Sequence, residues 1–288
     1  MTEIDFVEER LVFFPCGEVS LAGVLGVPQT PIGLTIVIPW GAGAFPSSGR
    51  NRLRTRLART LVLKGFHTFR FDYRGVGESQ GNYEDPDMAK PRTEELLAAC
   101  EFVHSQGLDR IAIVGNCFGA WSALMVAPEL DRLVAVALVN TPVNRDHVET
   151  RTVSAPWRWW LKKIRRFKLG KLRSAQRRAL YRKLIKAKTR AVLGQDARDT
   201  RFAKALGYLL DSRIPVLLMY GKEGHRAELE AELAKGLRTA FDRARPPTRL
   251  APVEHRLAGW ASLEVQDLMI KEIVPWLEEV RALSPSQA

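Results

Sequence analysis

Cysteine is scarce: Cys16, Cys100 and Cys117 are the three in a chain of 288 residues. An odd, low count with no metal-ligand spacing excludes a disulfide framework and a zinc site. Histidine is scarce too, with His67, His104, His147, His225 and His255 the only imidazoles available. No run of 18 uncharged apolar residues occurs, which excludes a transmembrane helix. Residues 1–10 are acidic and lack an apolar centre, so neither a secretory signal nor a transit peptide is predicted there, and a cytoplasmic location is expected. Repeats and low-complexity linkers are missing. The length suffices for a substantial core without covalent staples.

Acidic residues are missing from one long stretch. Residues 151–190 hold 16 Lys or Arg and no Asp or Glu, whereas the rest of the chain has 28 basic and 32 acidic residues, a net charge of −4. The overall +12 is therefore the property of one segment. A pI near 9.9 would suit nucleic acid, but a charge confined to one insert, with no recognition motif beside it, makes nucleic acid an unlikely partner.

Hydrophobic patterning outside that segment alternates strand and helix. Residues 11–14 and 19–25 read as a hairpin around Pro15-Cys16-Gly17. The apolar run at 34–38 reads as a strand buried on both faces, 111–114 as a short buried strand, and 66–71, 133–139 and 215–220 as further strands. Helices are predicted over 50–64, with Leu53, Leu57 and Leu61 on one side, and over 93–104, 118–126, 226–237 and 262–280. This order predicts an α/β fold, a mostly parallel central sheet with helices on both faces and an inserted helical cap. The expected divisions are a core of 1–145, a basic cap of 146–208 and a second core part of 209–288. Sites in such sheets form at the C-terminal ends of the strands.

The stretch Gly115-Asn-Cys-Phe-Gly119 lies between a predicted strand and a predicted helix. A sharp strand-to-helix turn lifts its central side chain clear of the sheet, and flanking glycines leave room for close packing. A thiol just ahead of a helix N-terminus is also favoured as thiolate. Cys117 is thus the candidate nucleophile, and the bland alternative is one more small buried cysteine.

This Gly-x-Cys-x-Gly stretch resembles the nucleophile elbow of the α/β-hydrolase superfamily, with cysteine where serine is usual. Asp72-Tyr-Arg-Gly-Val-Gly-Glu-Ser79 resembles its Asp-x-Arg-Gly-x-Gly-x-Ser loop, Ile38-Pro-Trp-Gly-Ala-Gly43 its oxyanion loop, and Val253-Glu-His255 its histidine loop. The resemblance spans about residues 19–280 apart from the insert. It implies His255 as the base, in the chain order nucleophile, acid, histidine. It implies an acid after the 216–220 strand, but Gly224 occupies the usual position and Glu223 stands one residue early. Glu223 as a longer acid and a Cys–His dyad therefore both stay open. The implied oxyanion donors are backbone N–H groups of Phe118 and of the Gly41–Ala42 segment. Asp72 and Arg74 are expected to brace their own turn.

Within the insert, Trp157, Trp160, Leu161 and Ile164, then Leu172, Ala175, Ala179, Leu180 and Leu184, recur at helical spacing against a basic opposite face. Such helices can pack on the core with their charges solvated. They can also dock an anionic partner, such as the phosphates of an acyl-CoA or an acidic acyl carrier protein, or adsorb to an anionic membrane surface. The functional expectation is acyl transfer through a Cys117 thioester, most simply as an ester or thioester hydrolase acting on a small-molecule acyl substrate, with no cofactor or metal required. The alternatives are an acyltransferase passing the acyl group to an alcohol or amine, and a non-catalytic binding module on a hydrolase fold.

Overall fold

Burial alternates along the end of the first strand and is nearly continuous along the middle of the second. β1 (Glu8–Cys16) and β2 (Val19–Val27) pair antiparallel from Glu8↔Val27 to Cys16↔Val19. The turn is Gly17 and Glu18, one residue later than the Pro15-Cys16-Gly17 expectation; Gly17 takes φ 60°. Pro15 stays in the ladder, which it can do because β1 is an edge strand with no neighbour needing its N–H. The structure is a computed structural model and describes residues 7–41, 45–87, 89–143, 200–222, 226–233, 237–257 and 262–283.

Six further strands complete the sheet: β3 (Thr35–Ile38), β4 (His67–Phe71), β5 (Ile111–Asn116), β6 (Leu133–Val139), β7 (Val216–Tyr220) and β8 (Arg249–Pro252). Their order is β1-β2-β4-β3-β5-β6-β7-β8. β2 pairs antiparallel with β4, and every pairing from β4 through β8 is parallel. β6 and β7 are apolar along their whole length because both faces are covered. β8 was not anticipated. It has four residues, opens on Arg and closes on Pro, and has no apolar run to announce it.

Helices described on the two faces are α1 (Leu53–Leu63), α2 (Thr93–Ser105), α3 (Phe118–Val126), α4 (Thr200–Asp211), α5 (Arg226–Glu232), α6 (Arg238–Arg243) and α7 (Leu263–Arg281). On one face Leu96, Trp121, Phe202 and Leu206 pack on Ile113, Leu138 and Leu218. On the other, Leu53, Leu57, Leu61, Ile273 and Trp276 pack on Val114, Ala137 and Leu217. Each such leucine, taken from water, contributes roughly 1.5–3 kcal/mol. The expected α/β class, with a mostly parallel sheet between helices, is the fold observed.

One expectation about the second half needs correction. The chain divides into a unit of Met1–Val143 with Arg201–Ala288 and a unit of Asn144–Thr200. Residues 201–208, assigned above to the cap 146–208, instead belong to the core. Phe202, Leu206 and Leu209 on α4 are all 0% exposed. The spacing of α4 continues the amphipathic pattern of the basic segment, so periodicity alone could not separate them. Residues 144–199 lie outside the described residues. Of the helix expected over 226–237, α5 covers Arg226–Glu232, and residues 234–236 lie outside the described residues ahead of α6.

The strand order positions the site. From β3 the chain moves to β4 on one side, then returns to set β5 on the other side of β3. α1 follows β3 onto one face of the sheet and α3 follows β5 onto the opposite face. Connections leaving adjacent strands in opposite directions open a crevice at their C-terminal ends.

Candidate functional site

Cys117 stands in that crevice. It is the single residue between β5 and α3, with φ 49° and ψ −117°. That conformation lies outside the regions open to L-residues without strain and costs roughly 1–3 kcal/mol. The surroundings over-determine it. The Cys117 N–H donates to the Val139 carbonyl at 2.8 Å, and the Cys117 carbonyl accepts from the Trp121 N–H at 3.0 Å. A Cβ at Gly115 would lie 2.6 Å from Ala120 Cα, and one at Gly119 would lie 2.4 Å from the Trp40 carbonyl oxygen. Only glycine lets α3 rise so close to β5 and lets the loop after β3 close on the helix start.

That loop brings Gly41 to the cysteine: a Cβ at Gly41 would lie 3.1 Å from Cys117 Cβ and 3.3 Å from Asn116 Oδ1. Phe118 opens α3, so its N–H has no intrahelical partner. Gly41 and Phe118 line one small pocket together with Tyr73, Val76, Tyr83, Glu84, Pro86 and Arg92. Three predicted site residues, Cys117, Phe118 and Gly41, therefore meet. Ala42 lies outside the described residues, as do Glu223 and His225, so the structure neither places the predicted acid nor the second oxyanion residue.

His255 is exposed on the bend between β8 and α7. β8 is three strand positions from β5, about 14 Å at the usual spacing, so this loop must turn back across the sheet to approach Cys117. It turns back at least as far as β7's end. The His255 carbonyl accepts from the Lys222 N–H at 3.1 Å and would lie 2.8 Å from a Cβ at Gly221. Its neighbour Glu254 is engaged with Arg226 at 3.1 Å and Lys222 at 3.8 Å. The Arg226 guanidinium holds that carboxyl below the usual range. Among the described residues no three His, Cys, Asp or Glu side chains cluster as a metal would need.

Asp72 sits within its own turn, as expected, whereas Arg74 departs from that expectation and reaches out of the turn to β1 and α2. The Asp72 carbonyl accepts from Ser79 Oγ at 2.7 Å, and its carboxylate accepts from the Glu78 N–H at 3.4 Å. Burial raises its pKa. Arg74 donates to the Cys16 carbonyl at 3.2 Å and to Glu94 at 2.5 Å. Two residues of the site were missed from sequence. Tyr73 donates its hydroxyl to the Trp40 carbonyl, and Arg54, fully buried, lies under the same loop. Arg54 did carry a signal. It falls on the α1 stripe three and seven residues ahead of Leu57 and Leu61, where a charged side chain needs an internal partner.

The three thiols differ in environment. Cys117 is partly exposed, whereas Cys16 and Cys100 are buried. Burial pushes the Cys100 thiol up to about 12 and raises that of Cys16. Alkylation needs an accessible thiolate. Native protein treated with iodoacetamide near neutral pH is therefore expected to be modified at Cys117, with Cys16 and Cys100 reacting only after denaturation. Peptide mass mapping of native and denatured samples checks this. Labelling of Cys100 in the native protein as fast as Cys117 would contradict it.

Residues 36–276 match the sequence profile of the alpha/beta hydrolase family, and the chain belongs to that family. The expectation of an enzyme of hydrolase type accords with this membership. The chain is 29% identical over 129 residues to the quorum-quenching protein AidA of Acinetobacter baumannii (strain MDR-ZJ06), a match covering 43% of this chain and 41% of that protein. The matched stretch thus spans about two-fifths of that curated relative. Among solved structures, an esterase of Pyrococcus furiosus is similar with a TM-score of 0.61 and 14% identity, covering 94% of this chain and 91% of that one. Proline iminopeptidase of Mycobacterium smegmatis is similar with a TM-score of 0.54 and 16% identity, covering 94% and 99%. A serine hydrolase without lid from Xanthomonas campestris gives 0.55 and 15%, covering 96% and 97%. At these identities the structural likenesses speak for the fold.

Proposed function

We propose that the protein is an acyl-transfer enzyme that forms a thioester on Cys117 and most often passes the acyl group to water, as an ester or thioester hydrolase. One observation carries this reading: a cysteine held at φ 49°, ψ −117° at the head of α3, with the loop after β3 packed against its Cβ. Strain retained at such a point serves to aim a reactive side chain. The Phe118 N–H and an N–H of the Gly41–Ala42 segment supply the oxyanion donors. His255 acts as base and then acid, with Glu223 orienting it or a Cys–His dyad working without it. Cysteine in place of serine also favours a second reading, an acyltransferase, since a thioester resists water while staying reactive toward amines.

Intact-mass screening against acyl esters, lactones and acyl thioesters tests the proposal. An added acyl mass mapped to Cys117 supports it. Failure of every donor to acylate or be turned over, in protein whose Cys117 alkylates freely, favours a binding module instead.

The donor is further proposed to be anionic, such as an acyl-CoA or an acyl carrier protein, drawn by the 16 positive charges of residues 151–190. A field of this kind acts mainly on encounter and is screened over about 10 Å at 0.1 M salt. Reversal of Lys162, Arg165 and Arg166 to Glu is expected to raise KM for acyl-CoA several-fold and leave a small neutral ester nearly unchanged. Equal effects on both donors would indicate lost packing. No effect on either, together with lost binding to anionic vesicles, would assign the segment to a membrane surface.

A further inference from the structure

The loop after β3 is tied down from beneath by side chains that the chemistry above does not use. At its start, the Tyr73 hydroxyl donates to the Trp40 carbonyl at 3.1 Å, both groups being buried. Burial pushes the Tyr73 hydroxyl well above its ordinary value, so it stays protonated and a donor. At the loop's far end, Arg54 donates to the Phe45 carbonyl at 3.3 Å and to that of Pro46. The same guanidinium donates to the Phe71 carbonyl, at the end of β4, at 3.3 Å and lies 5.2 Å from the centre of the Trp40 ring. Arg54 thus ties both ends of residues 40–46 to the strand beside β3.

Tyr73 has little freedom. Its ring meets Phe71 edge-on at 5.3 Å, and the Arg92 guanidinium lies 5.9 Å from its centre. Arg92 is itself fixed by Glu95 at 3.0 Å and by the Glu84 carbonyl at 2.7 Å.

A trans peptide is planar, so its carbonyl and the N–H that follows point in opposite directions. Holding the Trp40 oxygen toward Tyr73 directs the Gly41 N–H away from it and sets where the rest of the loop begins. If that peptide rotated, a carbonyl dipole would face the crevice, where negative charge develops during acyl transfer.

We propose that Tyr73 is a positioning residue for acyl transfer, its hydroxyl holding the Trp40–Gly41 peptide so that the Gly41 N–H faces the acyl oxygen on Cys117. Arg54 supports the same loop from its far end. The inference rests on the acyl-transfer reading. In the step concerned, the base takes the Cys117 thiol proton, the sulfur bonds to the acyl carbon and the carbonyl π pair moves onto oxygen, where the N–H donors hold it. The pair returns as the bond to the leaving group breaks, and the leaving group departs with a proton from the base.

Tyr73→Phe removes one oxygen and keeps the ring. Loss of a direct oxyanion donor costs about 10²–10³-fold, and an indirect effect is smaller. Acylation of Cys117 by p-nitrophenyl acetate is expected to slow about 10–100-fold, with KM changed less than about two-fold. Alkylation of Cys117 by iodoacetamide should keep its wild-type rate, because displacement at a saturated carbon builds no oxyanion. Arg54→Lys, should Tyr73→Phe fold poorly, is expected to show the same split. Unchanged acylation in the variants, or equal loss of acylation and alkylation, overturns the inference. A wild-type protein that takes no acyl group on Cys117 from any donor overturns the acyl-transfer reading and this inference with it, and that is seen before any variant is compared.

Discussion

Replacement of Cys117 by alanine is expected to lower acyl transfer to background, by about 10⁴-fold or more as for other covalent nucleophiles, with the fold intact. The backbone bonds and close approaches described at the turn do not use the sulfur. The bond from the Cys117 N–H to Val139 is made by the backbone, and the close approaches at Gly115 and Gly119 lie on either side. Alanine keeps the Cβ and therefore the strain, so the melting temperature should move by no more than a few degrees. Cys117→Gly separates strain from chemistry. Glycine accepts a positive φ, which releases about 1–3 kcal/mol. For a chain of this size each kcal/mol corresponds to about 2–4 °C. Cys117→Gly should therefore be as inactive as Cys117→Ala but melt higher. Activity surviving in both variants would place the nucleophile elsewhere.

His255→Ala is expected to lower the rate by about 10²–10⁴-fold, the usual worth of a general acid–base. The residue follows the C-terminal end of β8, the same end of the sheet at which Cys117 follows β5, on a loop that has already turned back to Gly221 at the end of β7. Free imidazole should restore part of the lost rate, which loss of a merely structural histidine would not allow. Glu223→Gln should cost less than His255→Ala. A silent Glu223→Gln supports the dyad, whereas a silent His255→Ala removes this histidine from the mechanism.

Much of the architecture was legible because the inner strands and the main helices carry their own periodicity. Runs such as Val216–Tyr220 are apolar throughout since both faces are covered, and α3 spans Phe118–Val126 as its sequence suggested. β8 escaped because four residues between Arg249 and Pro252 hold too little pattern. The start of α4 escaped because a helix that buries Phe202, Leu206 and Leu209 has the same spacing as the basic segment before it. Spacing reports amphipathicity, whereas what the apolar side meets is decided by the partner.

The amino-acid sequence by itself determined the strand–Cys–helix turn, because two glycines and an adjoining apolar run specify a sharp turn locally. It also determined the segregation of positive charge into residues 151–190, since formal charge needs no fold. Only the tertiary structure decided that β5 lies beside β3 with their helices on opposite faces. That arrangement brings Gly41 against Cys117 across 76 positions of chain. It also decided that Arg54 would be buried and that Tyr73 would bond to Trp40, 33 residues away. A hydrogen bond of that kind depends on how strands are ordered in the sheet, and strand order is set by packing of the whole chain, to which no local run of residues holds the key.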